Sequence, residues 1–466
     1  MLDFIPGRLA HQCSSFRRQF AQTHDLPWID VLTEERLKAS LAEEQVSFQQ
    51  GVYTPLVTLW TFLGQVFSAD HSCRAAVARL IAWMLGQGRT PCSAATGAYC
   101  KARQRLSETW LARLLRDSGR QLHDRCRVGS LAMGGRAVYV VDGTVVSMPD
   151  TPKNQRAFPQ SRAQRVGLGF PVARLVALFS LASGAACDLA IGRYQGKGMG
   201  EASLLRTLLG RLPTESVLLG DRNFASFWTL ALLLEQGVYG VFRQNASRHW
   251  DFRRGQRLGP DDHLVTWRKP KRTWMDQETY DSLPDEIAVR EVRVRVKRRG
   301  FRVRELIVIT TLLDPREVSA AELAQVYYAR WHMELDLRSL KVTLQMDILR
   351  GKSPEIVRKE IWAHLLVYNL IREVMTQAAA HHDLTPRDVS FKGTLQTLEA
   401  FRDVLATADI TNLKTNYQQL LTAVASHRVG DRPGRFEPRA IKRRPKPHDL
   451  LLVPRDEARK CLLYNN

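Results

Sequence analysis

Apolar positions recur at helical spacing through the first 130 residues of the chain. Leu56, Leu59, Trp60, Leu63 and Phe67 form one stripe, and Thr54-Pro55 ahead of it supplies an N-cap and a first-turn proline. A second helix is expected over residues 70–85, ended by Gly86 and Gly88. Two more follow Thr90-Pro91, one holding Tyr99, Lys101, Arg103 and Arg105, the other starting at Ser107 with Trp110, Leu111, Leu114 and Leu115. At about residue 136 the period becomes extended. Residues 137–141 are apolar and β-branched and end at Asp142-Gly143-Thr144, and residues 172–181 and 186–191 read as two further strands around a Ser183-Gly184 turn. A helix over 201–209 comes next, then a buried strand over 216–220 that delivers Asp221, a helix over 227–235 and a strand over 238–242.

Three meandering strands, then helix, strand, helix and strand, is the order a ribonuclease-H-like α/β domain requires. Its first and fourth strands are neighbours, so Asp142 and Asp221, each placed at a strand end, are expected to converge. The pattern then changes. Residues 245–274 are rich in Arg, Gly, Asp and Trp without helical period, residues 292–297 alternate strictly, Arg299-Gly300 reads as a hairpin turn, and residues 301–310 as the returning strand. Helical patterning resumes after Pro315 and a Ser319 cap, and a further capped helix is expected to start at Ser353-Pro354-Glu355. The expected architecture is a ribonuclease-H-like α/β core interrupted by a β-strand insertion, with an all-helical N-terminal domain and a helical C-terminal region. Its parts are a helical, DNA-binding domain (1–130), the first part of the core (131–243), the insertion (244–313), the last part of the core (314–380), and a helical C-terminal region with a basic arm (381–466).

Composition sharpens this picture. Hydrophobic residues at 44% and charged residues at 25% fit a folded, soluble protein. Lys and Arg total 68 against 47 acidic residues, a net charge of +21 that points to a polyanionic partner, foremost nucleic acid. The opening residues lack the apolar run of a signal peptide, and the most apolar stretch, 174–191, is broken by Ser180, Ser183, Gly184 and Asp188, so a cytoplasmic location is expected. Seven scattered cysteines without a CxxC pair suggest reduced thiols and no zinc site. Arg103, Arg105, Arg113, Arg116 and Arg120 outnumber the nearby carboxylates. They read as a DNA-binding face or as a solvated basic one, and no helix-turn-helix register stands out. The Pro-rich, basic stretch 428–446 reads as an extended arm on phosphate, with a solubilising tail as the other reading.

The chemistry concentrates in residues 327–341. At about 100° per residue, Tyr327, Arg330, Glu334 and Lys341 fall on one helical face, too polar for a core stripe. That face suits a metal ion and a polyanion, although a surface Arg330–Glu334 ion pair also fits. Asp142 is also readable as a turn residue and Asp221 as a helix N-cap. All three acids together make hard oxygen donors of the kind Mg²⁺ prefers, and two such ions could support an in-line phosphoryl transfer.

The segments VVDGTVVSMPDT, LLGDRNFASF and YYARWHMELDLRSLK resemble the DDE transposases of bacterial insertion sequences, specifically the insertion-sequence-four family with its Tyr, Arg, Glu, Lys helix pattern. The resemblance covers about residues 138–375. It implies that Asp142, Asp221 and Glu334 are the catalytic acids and the metal ligands, for two Mg²⁺ ions with Mn²⁺ as a substitute. It also implies that Tyr327, Arg330 and Lys341 position transposon-end DNA, and that the partners are the terminal inverted repeats, target DNA and a second copy of the chain in a homodimer. In such enzymes an insertion aromatic can hold a flipped base, which makes Trp267 and Trp274 candidates, with core packing as the other reading. A bacterial, nucleoid-associated transposase is the expectation.

Overall fold

The computed structural model describes residue 32 and residues 34–43, 51–126, 132–245, 247–271, 274–295, 305–407, 410–430 and 450–464. The expected hairpin turn at Arg299-Gly300 and nearly all of the basic arm lie outside the described residues.

In chain order the front helices are α1 (Glu34–Glu43), α2 (Pro55–Phe67), α3 (Cys73–Gly86), α4 (Gly97–Arg105) and α5 (Glu108–Arg125). Thr54 caps α2 as its sequence predicts, accepting from the Val57 N–H at 3.3 Å, and Ser72 and Ser107 cap α3 and α5 in the same way. The first strands are β1 (Val138–Ser147), then a short α6 (Pro152–Ala157), β2 (Val172–Ser180) and β3 (Ala186–Arg193). Helix α7 (Glu201–Arg206), β4 (Val217–Gly220), α8 (Phe227–Glu235) and β5 (Tyr239–Arg243) follow. Strands β6 (Gln256–Gly259) and β7 (Asp262–Arg268), helix α9 (Gln277–Ser282), and strands β8 (Glu286–Arg295) and β9 (Glu305–Thr310) make up the insertion. The chain then continues in helices α10 (Ala320–Ala329), α11 (Trp331–Arg338), α12 (Pro354–His381), α13 (Phe391–Thr407), α14 (Ile410–Ser426) and α15 (Arg455–Tyr464). Among the described residues no helix is long and apolar enough to cross a membrane.

All nine strands join one mixed sheet in the order β3-β2-β1-β4-β5-β9-β8-β7-β6. β1 runs antiparallel to β2 and parallel to β4, and β4 parallel to β5, so the first and fourth strands are neighbours as expected. The inserted strands do not form a separate sheet. β9 pairs antiparallel with β5 and extends the core sheet outward, because Val241 to Arg243 still offer an open edge to Val308, Ile309 and Thr310.

Alternation along β1 divides the core. Val138, Val140 and Val146 face one cluster, with the front helices and α12, and Tyr139 and Val141 face the other, under α7 and α8. Helix α12 is buried nearly all round and stitches the front helices to the sheet. Its Asn369 side chain bonds the N–H and the carbonyl of Ala186 at 2.8 and 2.9 Å and donates to Ser118 Oγ at 2.9 Å. Ser353 precedes α12 without capping it through its side chain, which corrects the expected cap.

Also on α12, His364 donates from Nδ1 to the Glu360 carbonyl at 2.8 Å, and burial holds its imidazole down to about 4 from the usual 6.5. The unfolded chain therefore takes up this proton first. The stability that neutral His364 contributes is complete above about pH 6.5 and is lost as pH falls toward about 4, on the order of 3 kcal/mol in all. Urea denaturation between pH 7 and 4.5 is expected to show a shallower decline for His364→Gln than for the wild type, and parallel profiles would contradict this.

Candidate active site

Asp142 lies inside β1 rather than at its end, which corrects the strand-end expectation. β1 stays paired with β2 as far as Ser147, but its parallel pairing with β4 covers only Val138 to Val140. Continuing that register by two residues brings Asp142 level with Asp221. β4 is still paired with β5 at Gly220, where any Cβ would lie 2.9 Å from the Phe242 ring and 3.0 Å from Val141, and it ends as Asp221 turns the chain by accepting the Asn223 N–H at 2.8 Å. Where β4 ends, Asp142 has no strand beside it on that side, so the two aspartates meet in the gap.

Asp142 accepts the N–H of Gly143 at 2.8 Å, and Arg330 Nη1 stands 3.8 Å from its Oδ2. Burial pushes its carboxyl up to about 6. The Gly143 N–H and the Arg330 guanidinium oppose that rise, and the charges of Asp221 and Glu201 add to it. The other arm of Arg330, Nη2, donates to Glu334 Oε1 at 3.3 Å. One guanidinium therefore bridges Asp142 and Glu334. Tyr327 is buried beside Arg330, and burial raises its hydroxyl pKa against the pull of Arg330 and Arg243.

The expected single helix over 327–341 is interrupted at Arg330, whose backbone stays helical (φ −51°, ψ −31°) while its N–H bonds the Tyr327 carbonyl, three residues back, at 3.2 Å. α10 ends at Ala329, α11 begins at Trp331, and Ser339 to Thr343 form a π turn closed by the Leu344 N–H on the Ser339 carbonyl at 2.9 Å. A π turn advances less per residue, so Lys341 does not keep the angular place that uniform α-helix assigns it. Half-buried, its ammonium forms no ion pair among the described residues. Trp267, on β7, is 2% exposed in the core with Nε1 3.4 Å from Glu291 Oε1, and Arg248 stacks on its ring at 3.7 Å, so no face is open for a base. Trp274 is 41% exposed, with Arg206 over its ring at 3.6 Å. Of the front arginines, Arg103 is buried against Cys73 and the rings of Phe62 and Tyr99, Arg116 pairs with Asp188 at 3.0 Å and Arg113 with Glu43. Arg105 and Arg120 remain exposed.

Sequence reasoning missed Glu201. It starts α7 behind a glycine-rich connection, and its only signal is the bare Gly143 beside Asp142, which means nothing until the two are adjacent in space. Among the described residues no three carboxylate, imidazole or thiol side chains converge closely enough to hold an ion. The donor set nonetheless suits a hard divalent cation. It consists of carboxylate oxygens, and Arg330 is the sole cation within ion-pair distance of Asp142, Asp221, Glu201 or Glu334 among the described residues.

The sequence profile of a family described as "Transposase DDE domain" matches residues 133–370. The transposase InsG of insertion sequence element IS4 from Escherichia coli K12 is 27% identical over 89% of this chain and 91% of its own length. A putative transposase InsL of element IS186A, also from Escherichia coli K12, is 36% identical over 17% of this chain and 21% of its own. A solved piggyBac transposase synaptic complex with hairpin DNA covers 87% of this chain and 84% of its own at 9% identity and a TM-score of 0.40, too slight a likeness to carry an argument. With more than half its length under the family profile, and a full-length relative in the transposase of IS4, the chain belongs to the DDE transposases of the insertion-sequence-four family.

Proposed function

We propose that this transposase binds the terminal inverted repeats of its element, cuts DNA at the element ends and joins the freed 3′ hydroxyls to target DNA. The observation that carries this reading is the meeting of Asp142 and Asp221 at the end of β4, with Glu334 tied to Asp142 through Arg330. Asp142, Asp221 and Glu334 would hold the divalent ions the family generally uses, here two Mg²⁺ or Mn²⁺. Bound there, such ions supply Lewis acidity that deprotonates a water or 3′ hydroxyl and offsets charge on the leaving oxygen.

The chain's own residues do the rest. Arg330 keeps two carboxylates from repelling each other in the free protein, and its planar guanidinium is the group to turn onto a backbone phosphate once they are otherwise neutralised. Tyr327, buried against Arg330, fixes the guanidinium's position. Lys341, in the π turn that follows α11, adds a cation for the DNA backbone. Of the two candidate tryptophans, Trp274 is the one with surface exposed for an unstacked base. The net charge of +21, with exposed Arg105 and Arg120 on the front helices, supplies the phosphate attraction that makes end binding salt-dependent. Two copies acting on two element ends complete the reading, as does its place with bacterial DNA in the cytoplasm, on the nucleoid.

The test is direct. Full-length protein is incubated with Mg²⁺ and a duplex carrying the element's end and its flank. A nick that exposes a 3′ hydroxyl at the element boundary is the expected result. Binding without any cut by the wild-type chain would overturn the enzymatic reading in favour of a DNA-binding repressor.

A further inference from the structure

Glu201 stands apart from the three acids of the family pattern, yet its carboxylate reaches their site. It packs directly on Gly143, where an added Cβ would lie 2.4 Å from Oε1, 2.5 Å from Cδ and 2.8 Å from Cγ. Its Oε2 is 3.5 Å from Asn223 Nδ2. These two neighbours are the residues whose backbone N–H groups hold the aspartates, Gly143 on Asp142 and Asn223 on Asp221, both at 2.8 Å. Glu201 thus touches both halves of the gap where β4 ends.

Its carboxylate forms no ion pair among the described residues. In a chain with 68 lysines and arginines, a half-buried glutamate with no cationic partner among the described residues and one long hydrogen bond is out of the ordinary. Its place in the first turn of α7 favours a carboxylate there, but does not account for its packing on Gly143 or its reach to Asn223. The bare Gly143 matters too, since a side chain there would push the Glu201 carboxylate out of the gap.

We propose that Glu201 is a fourth metal-holding carboxylate of this site, placed by the missing side chain of Gly143 opposite Asp142 and Asp221. This rests on the metal-dependent reading above, and it adds an acid on α7 to the set on β1, after β4 and on α11. Its role is to hold and orient the cation shared with the two aspartates, directly or through a bound water.

Mn²⁺ binding tests it without reference to turnover. The full chain, bound to an end duplex, is titrated with Mn²⁺ and the free ion followed by electron paramagnetic resonance. Glu201→Gln, which keeps the shape and the Asn223 contact, is expected to weaken Mn²⁺ binding about tenfold or more, and Gly143→Ala to do the same with all four acids present. Glu201→Gln binding Mn²⁺ within about twofold of the wild type would overturn the proposal while leaving the transposase reading intact. A wild-type chain that cuts DNA but retains no Mn²⁺ would overturn the metal reading itself. A second measurement needs no variant. With Fe²⁺, ascorbate and peroxide, hydroxyl radicals formed at the bound ion should cut the wild-type backbone near residue 201 as well as near 142 and 221, and cuts confined to the latter two would overturn the proposal.

Discussion

Glu334→Ala is expected to abolish end cleavage while leaving end binding within about tenfold of the wild type, a loss of a thousandfold or more in rate and so about 4 kcal/mol of barrier or greater. The reason lies in what Glu334 touches. Its side chain is 57% exposed and, among the described residues, its hydrogen bond is to Arg330, so the fold gains little from it. Truncation frees Arg330 for phosphate and, on the proposed metal-holding role, removes a donor to the ion. Binding and chemistry should therefore separate, as seen by a gel-shift assay beside a cleavage assay on the same duplex. Loss of end binding in parallel with cleavage would argue that Glu334 belongs to the DNA interface and not to the metal.

The second large effect is on stability, two residues further along the same helix. Asp336 is fully buried and accepts from two buried arginines, Arg372 on α12 and Arg387 at 2.7 and 2.9 Å. Arg387 also donates to the carbonyls of Leu181 and Ser180 at 2.7 and 2.9 Å, and Arg372 to the Tyr368 hydroxyl at 2.8 Å. This cluster clamps α11 to the β2–β3 turn and to α12. Asp336→Ala leaves two guanidinium groups buried without their carboxylate, and removing one partner of such a network costs about 3–5 kcal/mol. The denaturation midpoint in urea should fall accordingly. Asp336→Asn should lose less, because it keeps an acceptor oxygen. A cost for Asp336→Ala below about 1 kcal/mol would show that water reaches the cluster and that it does not anchor the helix.

The ordered part of the core was legible where one local rule acted alone. Helix α8 runs over Phe227–Glu235 as its periodicity predicts, and the order of strands sufficed to make β1 and β4 neighbours. Local rules misled where a distant partner sets the outcome. Asp142-Gly143-Thr144 has the composition of a turn, but nine residue pairs with β2 carry the strand through it to Ser147. Trp267 and Arg103 sit in segments dense with charge, and only the packed neighbours Glu291 and Arg248 for the one, Cys73 and Tyr99 for the other, draw them inside. The spacing of Tyr327, Arg330, Glu334 and Lys341 identified the right segment, whereas the break at Arg330 and the π turn that moves Lys341 depend on tertiary packing. Glu201 was invisible for the same reason, being brought to Gly143 by the sheet and not by the sequence around it.

The central claim is that this site joins DNA as well as cutting it. The most direct measurement supplies wild-type protein with Mg²⁺, a labelled duplex already ending in the element's 3′ hydroxyl, and a supercoiled target plasmid. Labelled end covalently attached to plasmid is the predicted product, absent when the terminal 3′ hydroxyl is replaced by hydrogen. Plasmid nicked by water with no label attached would contradict the account and mark the chain as a nuclease.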